Sequence, residues 1–479
     1  MVRQLVILLA LLLATGVAAR GQTVVNTESG PVQSVTSSAG CEVFRGIPYA
    51  APPVGELRWR APQPAAPWDT VRLCSDWGPM CYPMMWARRG NFYAMEYRDT
   101  TAHVRVSEDC LYLNIWIPKG ERRRLPVMVW IHGGAFWSGR ASAREFWGDS
   151  LVAHGVILVT VGYRLATAGF MAHPDLAREA GTPGSGNYGL MDQIAALRWV
   201  RRNIAAFGGD SANVTLFGES AGAGSVQALV SSPLCKGLID KAIMQSGGGY
   251  RNIIFPVGRR WSQNFGKSLM KYARCPSIDS LRRVPIMTLN SLVLKLSRRH
   301  LKIPFVWPTI DGHVITESFG EATRLGHVLP IPYMIGYNRN DLVKPVMRRA
   351  ARKWALMENA AGNPTWVYCF DRGLPGDKMK KPGNSGARHT AEIRYVFGTL
   401  ASSWRPWRKG DWQLSQLMIR YWTNFAKTGD PNGADLPQWQ TVTAQQTNLL
   451  RLGEEPTHMG SVDVQKLLWT MQNVPAVGE

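Results

Sequence analysis

Five short apolar runs, almost free of polar interruption, constrain the fold of this chain more than any other feature. They are Leu125–Ile131 (L-P-V-M-V-W-I), Val156–Tyr163, Asn213–Phe217, Lys241–Gln245 and Tyr333–Tyr337. Runs of this length read as strands buried on both faces, which is the signature of a parallel sheet covered by helices on each side. Between the second and third runs, Asn187 is followed by Leu190, Ile194, Leu197, Val200 and Ile204 at spacings of three and four, and Gly208-Gly209 closes the pattern. That periodicity predicts a helix. Alternation of strand and helix places the chain among α/β proteins with a large, mostly parallel central sheet. A length of 479 residues would allow about three domains at roughly 150 residues each. No composition shift or internal repeat marks a boundary, so residues 20–479 are expected to form a single domain.

The first 19 residues read as an export signal: Arg3, the apolar stretch Leu5–Leu13, then Val17-Ala18-Ala19 as a small-residue cleavage site. Cleavage is expected after Ala19 or Gly21. No later stretch approaches the ~20 apolar residues a membrane span requires, so a secreted or periplasmic protein without a span is expected. Lys and Arg number 55 against 34 Asp and Glu, a net charge of +21. The basic pairs are scattered and no nucleic-acid motif accompanies them, so they read as a solvated basic surface rather than a nucleic-acid site. Seven cysteines in an exported chain leave at least one unpaired. Zinc spacing is absent, and no metal or other cofactor is implied.

The chemistry is concentrated at Phe217-Gly218-Glu219-Ser220-Ala221-Gly222, where a strand runs through G-x-S-x-G into a helix-like segment, Ala221–Ser231. A sharp strand-to-helix turn needs small flanking residues and presents the serine hydroxyl at the carboxyl end of the sheet. Ser220 is therefore the candidate nucleophile. Upstream, His132-Gly133-Gly134-Ala135-Phe136 follows the strand 125–131. Backbone N–H groups of Gly134 and Ala135, with Ala221, could hold a developing oxyanion. A base and an acid should follow in the order Ser, Asp or Glu, His. His389, after a glycine-containing loop, is preferred over His300, His313, His327 and His458. For the acid, Asp341 lies just beyond the strand 333–337. Asp311, in P-T-I-D-G-H, looks like a turn aspartate, and Asp371 is a further alternative. Glu219 reads equally as an electrostatic helper or as a satisfied buried carboxylate.

These segments, with F-R-G-I-P-Y-A-A-P-P-V-G-E-L-R-W at 44–59, S-E-D-C-L-Y-L-N-I-W at 107–116, N-Y-G-L-M-D-Q, H-T-A-E-I-R-Y-V-F-G at 389–398 and Y-W-T-N-F-A-K-T-G-D-P-N-G at 421–433, give the chain a clear family likeness. It resembles the type-B carboxylesterases, the cholinesterase-like branch of the α/β-hydrolase fold. The resemblance implies a triad of Ser220, Asp341 and His389, oxyanion donors at Gly134, Ala135 and Ala221, and a disulfide between Cys81 and Cys110. Much of that family carries glutamate where this chain has Asp341, one methylene shorter. The cholinesterase tryptophan falls on Thr100, which argues against choline recognition, and the partner expected after Cys275 for a second bridge is missing.

The expectation is thus a secreted serine ester hydrolase working through a covalent acyl-enzyme on a small-molecule ester. A catalytically silent adhesion module and a secreted lipase are the rivals. The 48 residues from Asp341 to His389 are fewer than in longer relatives, which suggests an open site and short acyl groups. Trp86, Phe92, Tyr93 and Tyr97 could stack on an aromatic or sugar-linked alcohol, and the basic surface would attract anionic esters.

Overall fold

The five apolar runs become neighbouring strands of one sheet, and their alternating side chains feed two separate cores. A computed structural model describes residues 23–84, 105–120, 123–300, 306–377, 386–445, 448–453 and 457–459. The expected export signal, and Trp86, Phe92, Tyr93, Tyr97 and Thr100, lie outside the described residues.

The sheet has eleven strands: β1 Val35–Thr36, β2 Glu42–Pro48, β3 Tyr112–Ile117, β4 Leu125–Ile131, β5 Ile157–Val161, β6 Gly209–Glu219, β7 Lys241–Gln245, β8 Tyr333–Asn338, β9 Thr365–Phe370, β10 Leu449–Leu452 and β11 Thr457–Met459. Their order is β11-β10-β9-β8-β7-β6-β4-β5-β3-β2-β1. From β5 across to β10 every pairing is parallel, with Val127 opposite both Ile157 and Val214, and Ile243 opposite both Phe217 and Met334. Both edges turn antiparallel. The runs read from sequence match β4 and β7 and depart elsewhere. β6 starts at Gly209 and continues through Glu219, to the residue before Ser220, and β5 is trimmed to Ile157–Val161.

Helices cover both faces. On one side Val127, Val129 and Ile131 pack with Leu197 and Val200 of helix α1 (Tyr188–Asn203), Val226 of α2 (Ala221–Val230) and Trp354 of a later helix, Lys344–Ala360. On the other, Met128 and Trp130 pack with Met418 and Trp422 of the helix Lys409–Thr428. The architecture is the α/β-hydrolase fold that the sequence implied. α1 covers more than core: its Asp192 takes a bidentate pair of bonds from Arg164 (2.8 and 2.7 Å), both side chains being buried.

The order β6-β4-β5 means that the chain leaves β4 toward one side and returns to the other, so the loops after β4 and β6 emerge side by side. Such a switch point is where open α/β sheets form their crevice. Elsewhere, Cys81 and Cys110 are bonded, with Cα atoms 5.1 Å apart, while Cys41, Cys74, Cys235, Cys275 and Cys369 are free thiols. Among the described residues no helix is long and apolar enough to cross a membrane.

Candidate active site

The loop after β6 is built by close approach. Ser220 stands at φ 56°, ψ −124°, between the last residue of β6 and the first of α2. A left-handed φ on a residue with a Cβ costs on the order of 1–3 kcal/mol and persists only where surroundings enforce it. Here they do. A Cβ on Gly222 would lie 2.0 Å from the Ile131 carbonyl oxygen, and one on Gly218 would lie 2.6 Å from the Gly222 backbone. Gly247, after β7, closes the third side, where a Cβ would sit 2.0 Å from the Ser220 carbonyl oxygen. The Ser220 N–H donates to the Gln245 carbonyl (2.8 Å), tying the turn to β7.

The loop after β4 lies against this turn. Gly134, Ala135 and Phe136 have φ of 107°, 56° and 59°, and a Cβ at Gly134 would collide with the Ser138 carbonyl at 2.3 Å. His132 anchors the loop: its Nδ1 lies 2.8 Å from the Gly133 carbonyl, its ring stacks on Tyr163 at 4.5 Å, and Tyr163 donates to its carbonyl. Burial pushes the His132 imidazole down to about 4, so it stays neutral. A Cβ on Gly133 would come within 3.1 Å of the Ser220 Cβ, which shows how near the two loops run. Among the described residues the N–H groups of Gly134 and Ala135 have no hydrogen-bond acceptor, and Ala221 opens α2, where N–H groups lack intrahelical partners.

Opposite Ser220, the segment after β9 brings in His389. Its Nε2 lies 2.8 Å from Ser220 Oγ, and its Nδ1 lies 2.6 Å from Asp341 Oδ1. Phe397, at the end of the short helix Ile393–Phe397 just beyond, packs on Trp130 (4.9 Å) and Phe217 (5.7 Å), which fixes this segment to β4 and β6. Asp341 leaves β8 and accepts N–H bonds from Asn338 (3.0 Å) and Leu342 (2.9 Å). The structure therefore brings Ser220, His389 and Asp341 into one chain of hydrogen bonds. Asp311 lies elsewhere and accepts the N–H groups of His313, Val314 and Ile315, making it a turn aspartate as expected. Asp371 bonds to Arg339 and Arg451.

Two further carboxylates surround the imidazole. Glu219 Oε1 is 3.3 Å from His389 Nε2. Glu392, three residues after His389, accepts from Asn338 Nδ2 (2.5 Å) and from Gln245 Nε2 (3.5 Å), while Trp422 donates to the Gln245 side-chain oxygen (3.1 Å). Burial drives the Glu219 carboxyl well above the usual range, with Glu392 and Asp341 adding to the rise and His389 opposing it. Burial also raises Glu392. For Asp341 burial is outweighed by His389 and the backbone N–H of Asn338, and its carboxyl stays below the ordinary value. Burial disfavours the charged imidazole, yet Glu219, Asp341 and Glu392 together push His389 up to about 9. Sequence reasoning weighed Glu219 without placing it and missed Glu392, Gln245 and Asn338. The only available signal for Glu392 was its position in the quoted H-T-A-E segment.

Such an arrangement can draw a proton from a serine hydroxyl and steady the resulting imidazolium. Comparison with known proteins gives the family. The sequence model of the Carboxylesterase family matches residues 21–351 and 341–468. The chain is 32% identical to a para-nitrobenzyl esterase of Bacillus subtilis (strain 168), covering 91% of this chain and 95% of that one. It is 31% identical to carboxylesterase 4A of Bos taurus, covering 91% and 92%. A fumonisin B1 esterase of Sphingopyxis macrogoltabida is 34% identical over 84% of this chain and 73% of its own. Among solved structures, a thermophilic PNB esterase superposes with a TM-score of 0.81 at 31% identity, covering 93% of this chain and 99% of that one.

Proposed function

The chain belongs to the carboxylesterase family and is a carboxylic ester hydrolase, and from that premise we propose that Ser220 is its nucleophile, in a triad with His389 and Asp341. His389 accepts the Ser220 proton at Nε2 as Oγ attacks the ester carbonyl. Its Nδ1–H donates to Asp341, which holds the ring in the required tautomer and stabilises the imidazolium. The N–H groups of Gly134, Ala135 and Ala221 receive the oxyanion, a role that preorganised backbone donors perform without reorganisation cost. The imidazolium then gives its proton to the departing alcohol, leaving an acyl group on Ser220. Water, activated by the same imidazole, repeats the sequence and frees the acid.

One observation carries the reading: an unbroken hydrogen-bonded line of 2.8 and 2.6 Å from a strained serine through a buried histidine to a buried aspartate. The silent adhesion reading is disfavoured, because a binding module has no need of these three groups in register. The protein is further proposed to be one exported domain that favours short acyl groups. Stopped-flow hydrolysis of p-nitrophenyl acetate tests the covalent route. A burst of one p-nitrophenol per enzyme is expected, with no burst and no turnover in Ser220→Ala. A full burst in that variant would place the nucleophile elsewhere.

A further inference from the structure

The excess of positive charge is not spread evenly. Between Arg251 and Ile310 the chain carries twelve Lys and Arg against a single acid, Asp279, a net of +11 out of +21. These residues form one excursion between β7 and β8. It is opened and closed by a short parallel pairing of Val257–Gly258 with Thr309–Ile310, and it contains helix α3 (Arg259–Tyr272) and helix α4 (Ile286–His300), packed against each other. The only acid, Asp279, is tied to Arg282.

Helix α3 divides cleanly. Ser262, Gly266 and Leu269 face inward and are buried, while Arg260, Lys267 and Lys271 face solvent. No acid pairs with those three cations among the described residues. Large apolar side chains stand among them: Trp261 is 42% exposed, Tyr272 38%, and Phe255, just before the helix, 54%. Each of these rings leaves a large part of its surface to solvent beside the cations. That pairing of side chains suits the boundary layer of a bilayer, where rings settle at headgroup depth and cations meet anionic lipid.

The position of this face matters as much as its composition. Trp307 donates to the Phe255 carbonyl (2.9 Å) and packs edge-on against Phe136 of the loop after β4 (5.0 Å), and Trp137 of that loop donates to the Val306 carbonyl (3.3 Å). The two ends of the excursion are therefore fastened to the wall of the active site.

We propose that the outer face of α3, with Phe255, docks on an anionic phospholipid surface and holds the enzyme with its active-site side next to that surface. Charge complementarity selects lipid of negative headgroup, and the exposed rings favour a lipid boundary over a soluble polyanion. This inference does not depend on which residue is the nucleophile.

The test is co-sedimentation of the purified protein with vesicles of phosphatidylcholine alone or mixed with phosphatidylglycerol, at about 0.1 M and about 1 M salt. Binding is expected only to the phosphatidylglycerol vesicles and only at the lower salt. Lys267→Gln with Lys271→Gln should weaken it about 25-fold, at about fivefold per cation removed, and Trp261→Ala should weaken it without changing its salt dependence. Hydrolysis of p-nitrophenyl acetate in solution should stay as in the parent for all three substitutions, which also reports that the variants are folded. Equal binding to phosphatidylcholine, undiminished binding by the double variant, or retention on heparin without vesicle binding would each overturn the proposal.

Discussion

At the scale of single residues, the site depends on charges that share protons. Asp341 reaches His389 at 2.6 Å although it is one methylene shorter than glutamate, because two backbone N–H groups hold its carboxylate in place. Asp341→Asn should keep the fold and lower kcat by roughly 10⁴, since the amide favours the wrong tautomer. Asp311→Asn and Asp371→Asn should leave kcat near the parent value, and a comparable loss in Asp311→Asn alone would reverse the assignment. The pH profile adds an independent check. His389 must be neutral to act as base, and Glu219, Asp341 and Glu392 raise it, so kcat/KM should climb with rising pH along a limb set well above that of an ordinary imidazole. Glu219→Gln removes the carboxyl 3.3 Å from Nε2 that contributes to this rise and should move that limb to lower pH. An unmoved limb would mean that Glu219 is already neutral when His389 titrates.

At the scale of elements, the sequence revealed what periodicity and glycine encode. The buried strands were legible because both faces are apolar, and the turn at Ser220 because only glycine fits at Gly218 and Gly222. The outer strands β1, β2, β10 and β11 were not: β1, β10 and β11 have only two, four and three residues, and β2 is irregular, its register shifting between Phe44 and Ile47. The network around Glu392 was hidden for another reason: Gln245 and Glu392 are 147 residues apart, and a hydrogen bond across that gap leaves no local pattern. The family segments turn out to hold elements together. Arg58 of the 44–59 segment bonds Glu108 of the 107–116 segment with Nε at 2.7 Å, and reaches the Arg282 and Val284 carbonyls. Asp192 in N-Y-G-L-M-D-Q holds Arg164. Asp192→Ala would leave a buried guanidinium uncompensated and should cost about 3–5 kcal/mol. Phe397→Ala should cost about 3–5 kcal/mol through the cavity left at Trp130 and Phe217, and should also lower kcat by loosening the segment that positions His389. Urea unfolding and kcat measured on the same variants check both expectations.

At the scale of the whole molecule, the Cys81–Cys110 bridge closes a 29-residue separation. Reducing it should lower stability by about 3–4 kcal/mol if the constraint acts on the unfolded chain, read as a shift in the urea midpoint with and without reductant. The sequence resemblance supplied this pairing, while the distribution of charge was read there only as scattered basic pairs; its concentration in the α3–α4 excursion became meaningful once that excursion was seen beside the active-site wall. The open-site reading yields a further expectation. Each buried CH₂ is worth about 0.8 kcal/mol, so a shallow site should gain little from longer chains. Across p-nitrophenyl acetate to palmitate, kcat/KM should peak among the short acyl groups, and a steady rise toward palmitate would argue for a deep acyl pocket.

The central claim of the proposed mechanism is that Ser220 Oγ is the atom acylated. Peptide mapping by mass spectrometry after treatment with a fluorophosphonate measures it directly. One adduct per chain is expected, on the peptide containing Gly218-Glu219-Ser220-Ala221-Gly222, with none on Ser220→Ala and a strongly slowed reaction in His389→Ala. Stoichiometric labelling of any other serine in the parent protein, or undiminished labelling of Ser220→Ala, would contradict the account.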